Sequence, residues 1–224
     1  MSRLPFIFIA CSLGIGCAKD PSQSVPKAQV KAPESQPKID RNGSKEKPNN
    51  QPKPTEQSIA LDGEISFIGS KVTGSNTGRF NSWIGTAVID AQGQLTSLSL
   101  VVQTKDVEAN FEAPTKWSKK LENHLRNDDF FASDRFPTAT FQLDKVTPIE
   151  GAADGSTHTL GGRLTIRGTT KAINFPVKVS SIKPFAARAE FSINRKDFGM
   201  MYDGKADNLI RDGVVMKIAL KAKS

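Results

Sequence analysis

The sequence predicts an all-β domain of about eight antiparallel strands, folded either as one closed barrel or as a sandwich. Three observations support this prediction. Beyond residue 58, most segments alternate apolar and polar residues with a period of two. Gly and Asp-Gly turn signals separate these segments, and one short segment has helical periodicity instead. A period of two places one face of each strand in an apolar core and the other in water, as in an antiparallel sheet.

The clearest strand pair is predicted in "LTIRGTTKAINFPVKV", residues 164–179. Its two halves alternate on either side of Gly168, which predicts a hairpin. Pro176 has no N–H to donate to a neighbouring strand, so it indicates a sheet edge or a position without a ladder bond. Further strands with the same alternation are predicted over residues 65–71, 83–90, 95–104, 138–146, 187–194 and 214–222.

One segment, "PTKWSKKLENHLRND" (residues 114–128), has the period of a helix. Trp117, Leu121 and Leu125 recur every fourth residue, so they share one face of a short amphipathic helix. Pro114 suits the first turn of such a helix. We therefore predict a short helix that lies on the sheet or caps it.

Two adjacent aromatic residues, Phe130 and Phe131, follow this helix in "HLRNDDFFASDRFPTATF". They stand where the chain leaves the helix and returns to the strand that begins at Thr138. Adjacent residues in a loop can point to opposite sides. We expect one ring to plug the rim of the barrel and the other to pack under the helix.

The first residues, "MSRLPFIFIACSLGIGC", resemble a bacterial lipoprotein signal. Arg3 precedes an apolar run that is too short to span a bilayer, and the run ends at Cys17. Cys17 is therefore predicted to become the acylated first residue, although Gly14 stands where Leu is usual. The alternatives are an ordinary signal peptide or an uncleaved anchor. Ala18 in place of Asp predicts sorting to the outer membrane, on the periplasmic side.

Residues 18–57 are predicted to be a disordered tether between the lipid and the folded domain, residues 58–224. This segment contains seven of the thirteen prolines and no aromatic residue. Eleven of the thirteen phenylalanines follow residue 57, so the apolar side chains that can form a core lie there. A chain rich in proline and polar residues has little apolar surface to bury and stays unfolded.

The composition disfavours several functions. The net charge is +8, but no block of five like charges occurs, so the surplus indicates a solvated surface and not a nucleic-acid site. His124 and His158 are the only histidines, and both cysteines lie in the signal segment. The chain therefore has no metal-ligand spacing and no assembled catalytic triad, and we predict neither a metal, a cofactor nor an enzymatic activity.

Four segments in succession resemble the motifs of the YceI-like polyisoprenoid-binding family: "ISFIGSKVTGSNTGRF", "HLRNDDFFASDRFPTATF", "GRLTIRGTTKAINFPVKV" and "INRKDFGM". The resemblance covers essentially Ser58 to Ala222, with departures at Gly69-Ser70 and Trp83. It implies an extended lipocalin-like antiparallel β-barrel. It also implies that the lumen holds a long isoprenoid chain, such as a quinone tail or a polyprenyl lipid.

Under this resemblance the inward-facing apolar residues would form the ligand-binding lumen. A barrel of about eight strands is just wide enough for side chains or one small ligand. The candidate lumen residues are Phe67, Phe80, Phe141, Phe175, Phe191, Ile193 and Ile218. The candidates for the rim or for contact with a ligand head group are Phe130, Phe131, Arg195 and Asp197. The alternative for Arg195 and Asp197 is a structural arginine–carboxylate pair that closes the barrel between strands.

The resulting prediction is a non-enzymatic carrier or sequestering protein for an isoprenoid or quinone lipid, anchored to the membrane through Cys17. One alternative is a structural or stress-response module of the cell envelope whose lumen is filled by its own side chains. A hydrolase or isomerase acting on such lipids would need catalytic groups that the sequence does not assemble. The sequence leaves the lipid and the oligomeric state open, a homodimer included.

Overall fold

The alternating segments form a closed antiparallel barrel in the computed structural model, which describes residues 18–32 and 56–224. A single α-helix of the described residues, α1 (Ser118–Arg126), lies inside the predicted segment 114–128. In chain order the strands are β1 (Gln29–Lys31), β2 (Gln57–Lys71), β3 (Gly74–Phe80), β4 (Trp83–Ile89), β5 (Leu95–Gln103), β6 (Val107–Ala109), β7 (Thr138–Pro148), β8 (His158–Ile166), β9 (Thr169–Ile182), β10 (Phe185–Asn194), β11 (Gly204–Lys205), β12 (Asn208–Leu209) and β13 (Gly213–Ala222).

Eight of these strands make the barrel wall, in the order β2-β4-β5-β7-β8-β9-β10-β13. The barrel closes because β13 pairs with β2 through residues 215–222 and 61–68. The long strand β2 can serve two neighbours on its other edge: residues 57–60 pair with β4, and residues 66–71 pair with β3. The structure therefore confirms a barrel, and the sandwich is excluded.

Alternation along β10 shows how the sequence directs side chains into the lumen. Phe185, Ala187 and Phe191 are buried, whereas Arg188 and Glu190 point outward and are exposed. The same alternation of buried and less buried positions runs through β4 and β5. The apolar faces of all eight strands together form one core inside the barrel.

Glycine at position 78 makes room for an aromatic ring of the lumen. Gly78 of β3 lies opposite Phe67 of β2, and a Cβ atom at position 78 would lie 2.2 Å from Cζ of that ring. We predict that Gly78→Ala lowers the free energy of unfolding by about 1–3 kcal/mol, because the ring must shift in a packed core. Chemical denaturation measures this. Gly74→Ala in the same strand is the control, since its added Cβ would meet nothing within 4 Å; equal losses in both variants would contradict the prediction.

The structure corrects the predicted disordered tether for residues 18–32, which pack on the barrel. They form a short 3₁₀ helix at Pro21–Ser24 and the strand β1, which pairs with residues 172–174 of β9. Ala28 is buried, and its N–H donates to the Ser192 carbonyl at 2.8 Å. Composition is a poor guide here because this segment is held mainly by backbone hydrogen bonds, with only the small side chains of Ala28 and Val30 packed on the core.

Residues 26–31 fill a gap in the barrel wall between β9 and β10. These two strands pair only near their hairpin, where residues 185–188 meet residues 178–182. Farther along, the N-terminal segment lies between them: the Ser192 N–H donates to the Pro26 carbonyl, and β1 pairs with β9. Pro176, predicted at an edge or an unbonded position, lies on β9 between these two pairings. We call residues 26–31 the seam segment.

The remaining predictions for the N-terminal part lie outside the described residues. These are the signal segment with Cys17 and the portion of the linker from residue 33 to residue 55. Among residues 18–32 and 56–224, no helix combines the length and the apolar character needed to cross a membrane.

Candidate functional site

The barrel encloses an apolar cavity of about 180 Å³, which runs along its axis. By the same measure one water molecule needs only about 10–15 Å³, so the lumen is not packed solid. The residues around it are almost all aliphatic or aromatic; the polar exceptions are Thr140, Arg195, Arg211 and Arg188, the last of which has an exposed side chain. A cavity of this composition favours hydrocarbon over polar groups.

All seven residues predicted for the lumen line this cavity. They are Phe67, Phe80, Phe141, Phe175, Phe191, Ile193 and Ile218. Their contact with a ligand stays a prediction.

The lumen rings form two groups. Phe175 and Phe191 stack with their centroids 4.2 Å apart, and Phe141 meets Phe175 edge-on at 5.5 Å. Since Phe175 lies on β9 and Phe191 on β10, this stack spans the gap that the seam segment covers from outside. The second group lies toward α1, where Phe67 and Phe80 are 5.6 Å apart. The rings therefore line the wall of the lumen at two levels.

The end of the barrel beside α1 opens into a second cavity of about 370 Å³, which we call the mouth. It adjoins the lumen because the two cavities share Phe67, Gly69, Leu125, Phe130 and Ile210. In contrast to the lumen, its mostly apolar wall also carries several polar side chains. Its other lining residues are Ser70, Lys71, Asn76, Thr77, Leu121, His124, Tyr202, Gly204, Lys205 and Asn208. An apolar tunnel that ends in a mouth with polar side chains suits an amphiphile with its tail inside.

The two adjacent rings of the loop after α1 point to different neighbours, as the sequence predicts. Phe131 contacts the rings of Phe67 and Phe80 and so plugs part of the lumen near the mouth. Phe130 packs under the helix against His124 and Tyr202, at centroid distances of 5.0 and 5.9 Å. His124 is also held by Asp129, with Nε2 and Oδ2 2.8 Å apart. Aromatic packing and this hydrogen bond hold the imidazole of His124 in place.

Arg195 ties down the segment 200–212, which forms one wall of the mouth. Only 2% of its side chain is exposed. Its guanidinium donates to the carbonyl oxygens of Met200, Ile210 and Arg211 and to two carboxylates. Those carboxylates are Oδ1 of Asp212 at 3.1 Å and Oδ1 of Asp203 at 3.4 Å.

The pairing of Arg195 with Asp197 that the sequence suggests is wrong. Asp197 follows Arg195 within the same short 3₁₀ helix, Arg195–Phe198, whereas the guanidinium reaches across to the loop before β13. Asp197 also lies outside the residues that line the lumen and the mouth. A structural arginine–carboxylate cluster is therefore present, with Asp203 and Asp212 as its acids.

One carboxyl of the same cluster has a shifted pKa. The hydrogen bond from the Lys196 ammonium, with help from Arg195, lowers the pKa of Asp203 below its ordinary value. A carboxyl whose pKa is lower in the folded state stabilises the fold above its unfolded pKa, and this stabilisation is lost as the pH falls through the folded pKa.

We predict that Asp203→Asn is less stable than the parent at neutral pH. The difference should begin to shrink as the pH falls below the ordinary aspartate pKa and should vanish below the lowered pKa of the folded state, because the parent then carries a neutral side chain in both states. Hydrogen exchange of the Ile210 amide, which donates to the Asp203 carbonyl, reads out the segment directly. A difference that stayed constant down to strongly acidic pH would contradict the prediction.

Sequence reasoning missed the segment 200–212 as part of the site. Met200 and Ile210 line the lumen, and Tyr202 lines the mouth. The segment "MMYDGKADNLIRD" has no regular period because β11 and β12 have only two residues each. The only feature of the sequence that could have indicated a role in the site is the presence of apolar residues between turn signals. Within the part of the chain that the structure describes, no group of three or more His, Cys, Asp or Glu side chains is placed to hold a metal ion.

Comparisons with known proteins agree with this architecture. A family model described as YceI-like domain matches residues 58–222. UPF0312 proteins of Pseudomonas aeruginosa (strain LESB58) and Yersinia enterocolitica are each 29% identical over 134 residues, 56% of this chain. The matched part spans 64% of the length of these relatives. The crystal structure of Burkholderia cenocepacia BcnA matches with a TM-score of 0.60 at 19% identity and covers 71% of this chain and 96% of BcnA, which shows a common fold.

Proposed function

Because this chain belongs to the YceI-like domain family, we propose that its barrel binds a long-chain isoprenoid lipid of the quinone or polyprenyl type. The protein acts as a carrier or sequestering protein of the cell envelope and performs no chemistry on the lipid. The single observation that carries the proposal is the apolar lumen that adjoins a mouth with several polar side chains. Its shape allows a hydrocarbon tail to lie among the rings while the head group stays near water.

The affinity of the lumen for a lipid should depend mainly on the length of the lipid tail and less on its exact chemical structure. Each buried CH₂ group contributes roughly 0.8 kcal/mol, so a long tail gains affinity from any continuous apolar tunnel. The lumen walls offer few polar partners, so a head group would leave its hydrogen bonds unmade there and is held at the mouth. His124, Tyr202 and Lys205 are the polar side chains that surround it.

We propose that the protein lies at the periplasmic face of the outer membrane, where a lipid on Cys17 anchors it. Because residues 18–32 pack on the barrel, such an anchor would not be separated from the barrel by a flexible linker. The Ala18 N–H donates to the Val72 carbonyl at 3.3 Å, at the turn between β2 and β3. The residue next to Cys17 is thus fixed to the barrel, and an acyl group on Cys17 would hold the barrel close to the bilayer.

Native mass spectrometry of the purified full chain, followed by solvent extraction, tests the proposal. We expect a co-purifying isoprenoid lipid, or uptake of an added prenyl quinone in preference to a straight-chain lipid of equal length. The same spectrum separates a monomer from a homodimer. If no lipid is found and none is taken up, the alternative of a structural envelope module without a stable ligand is favoured.

The lumen length can be tested with Ala187→Phe. Ala187 lines the lumen and pairs with Leu220 and Val179, near the end of the barrel away from the mouth. We expect the added ring to shorten the tunnel. Affinity for long prenyl chains should fall by about tenfold or more, which is the loss of two or more buried CH₂ groups, while short chains bind unchanged.

A titration with prenyl quinones of increasing tail length measures this effect. Ala186→Phe in the same strand, whose side chain points outward, is the matched control. An equal loss for short and long chains would show that the ring disturbs the fold and does not mark the end of the tunnel.

A further inference from the structure

Three of the four exposed large apolar side chains of the described residues, Trp117, Met201 and Leu209, lie at the mouth end of the barrel. Among the described residues the most exposed are Ile84 at 71%, Trp117 and Met201 at 61%, and Leu209 at 48%. Ile84 is the second residue of β4, beside the end of β5, and Trp117 directly precedes α1. Met201 and Leu209 belong to the segment 200–212 of the mouth wall. Single exposed apolar residues are common, but a group around one opening indicates contact with an apolar partner.

Helix α1 continues the apolar lining of the lumen out to this surface. Leu125 lines the lumen, Leu121 lines the mouth one turn earlier, and Trp117 stands exposed one turn before that. The three residues share one face of the helix because they are spaced by four. These three side chains therefore form an apolar stripe that runs from the interior of the barrel to the exposed indole ring of Trp117.

Lysines surround this indole. The ammonium groups of Lys116 and Lys120 lie 5.3 and 5.9 Å from the ring centroid of Trp117. Lys119 pairs with Glu122 at 3.1 Å, and Arg126 also lies 3.7 Å from that carboxylate, so the helix keeps a positive surplus here. Tryptophan with flanking lysines is the composition typical of a bilayer interface, where the ring sits at head-group depth and the amines meet anionic lipid.

We propose that the mouth end of the barrel docks on the surface of an anionic lipid bilayer, with Trp117 inserted at head-group depth. This proposal rests on the proposed function, because it gives a membrane lipid a direct path from the bilayer into the lumen. Ala18, fixed to Val72 beside the mouth, lies on the same side. A second copy of the chain fits this surface less well, since a twofold contact would bring the lysines against each other.

Fluorescence quenching by spin-labelled lipid tests the orientation. The full chain carries Trp83→Phe, so that Trp117 is the sole tryptophan, and is added to vesicles that contain phosphatidylglycerol and a doxyl-labelled lipid. The matched reporter combines Trp83→Phe, Trp117→Phe and Gln92→Trp, which moves the indole to the turn between β4 and β5 at the opposite end. We expect strong quenching at position 117 and little at position 92. Equal quenching at both positions, or none at 117, overturns the proposal.

The charge contribution is tested in the Trp83→Phe background with Lys116→Gln, Lys119→Gln and Lys120→Gln combined. A lysine near an anionic surface contributes about fivefold, so the docked population should fall at least about tenfold. Lys145→Gln, Lys178→Gln and Lys183→Gln combined change the net charge equally on exposed sites away from the mouth and should leave quenching within about twofold. Equal losses in both triple variants overturn the proposal.

Extraction of lumen lipid from the same samples separates the two proposals. Bound lipid without quenching of Trp117 rejects the docking surface and leaves the lipid-binding function standing. Quenching without any lumen lipid rejects the function and leaves the docking surface standing.

Discussion

Replacement of Arg195 by Met is expected to lower the free energy of unfolding by about 3–5 kcal/mol. The side chain is 2% exposed, and its guanidinium donates to five acceptors, all within the segment 200–212. Met has a similar volume but no donors. The carbonyl oxygens of Met200 and Ile210 would then be left without this donor, away from water, and Asp212 would keep only its contact with Lys196 at 3.2 Å. A buried acceptor left unpaired costs about 1–3 kcal/mol, which accounts for the size of the effect.

An exposed pair of the same geometry provides the control. Arg163 and Asp144 approach to 3.1 Å, the distance between Arg195 and Asp212, but their side chains are 42% and 46% exposed. Arg163→Met should therefore cost less than about 1 kcal/mol. Urea denaturation of both variants isolates the effect of burial.

A local readout shows where the loss occurs. The Arg211 amide donates to the Ser70 carbonyl, and the Ile210 amide donates to the Asp203 carbonyl. Both amides should exchange faster in Arg195→Met because the segment 200–212 is no longer held. Arg195→Lys should recover only part of the stability, since one ammonium cannot reach all five acceptors of the guanidinium. A loss as small as that of Arg163→Met would show that the cluster does not hold the mouth wall.

The barrel strands and the lumen lining are predictable from sequence because both follow from a local rule. A strand places alternate side chains on opposite faces, so the apolar set of each alternating segment identifies its inward face without knowledge of its neighbours. Phe67 and Phe191 are examples. Phe130 and Phe131 follow a local rule as well, since two adjacent loop residues beside a helix have two different surfaces to cover.

Closure and the polar cluster are not local. The pairing of β13 with β2 joins residues about 150 positions apart, and alternation alone suits a sandwich as well as a barrel. Similarly, Asp197 is near Arg195 in the chain, whereas the partners that the fold provides are Asp203 and Asp212. The carboxylate that pairs with Arg195 can be identified only when the path of the backbone is known.

The seam segment escaped prediction for a different reason. It contributes a backbone edge and the small side chains of Ala28 and Val30, whereas hydrophobicity and composition give most weight to large side chains. Its neighbours are also unusual, because β9 and β10 leave their edges unpaired where they separate. An unpaired strand edge presents free N–H and C=O groups, with which any extended segment nearby can pair. Proline-rich composition therefore does not exclude order when such an edge is available.

This arrangement predicts that Ala28→Asp will release the seam segment. Ala28 is 4% exposed, so an aspartate there would place a charge in the core without a partner, which costs several kcal/mol. Opening of the segment relieves that cost while the barrel strands keep their own pairings. Lys27 and Lys31, on either side of the substituted residue, then become accessible to trypsin. Cleavage follows the open population, so we expect it to be at least about 100-fold faster than in the parent.

Gln29→Asp provides the control, because it adds the same charge one residue later at an exposed position. Its cleavage should stay close to that of the parent, and equal acceleration in both variants would show that the segment is already loose. Release of the segment also leaves the stacked rings of Phe175 and Phe191 as the cover over the gap between β9 and β10. A lipid bound in the lumen should therefore exchange faster in Ala28→Asp than in Gln29→Asp. In Ala28→Asp the gap in the barrel wall is covered only by the contact between these two rings, whereas in Gln29→Asp the seam segment still covers it.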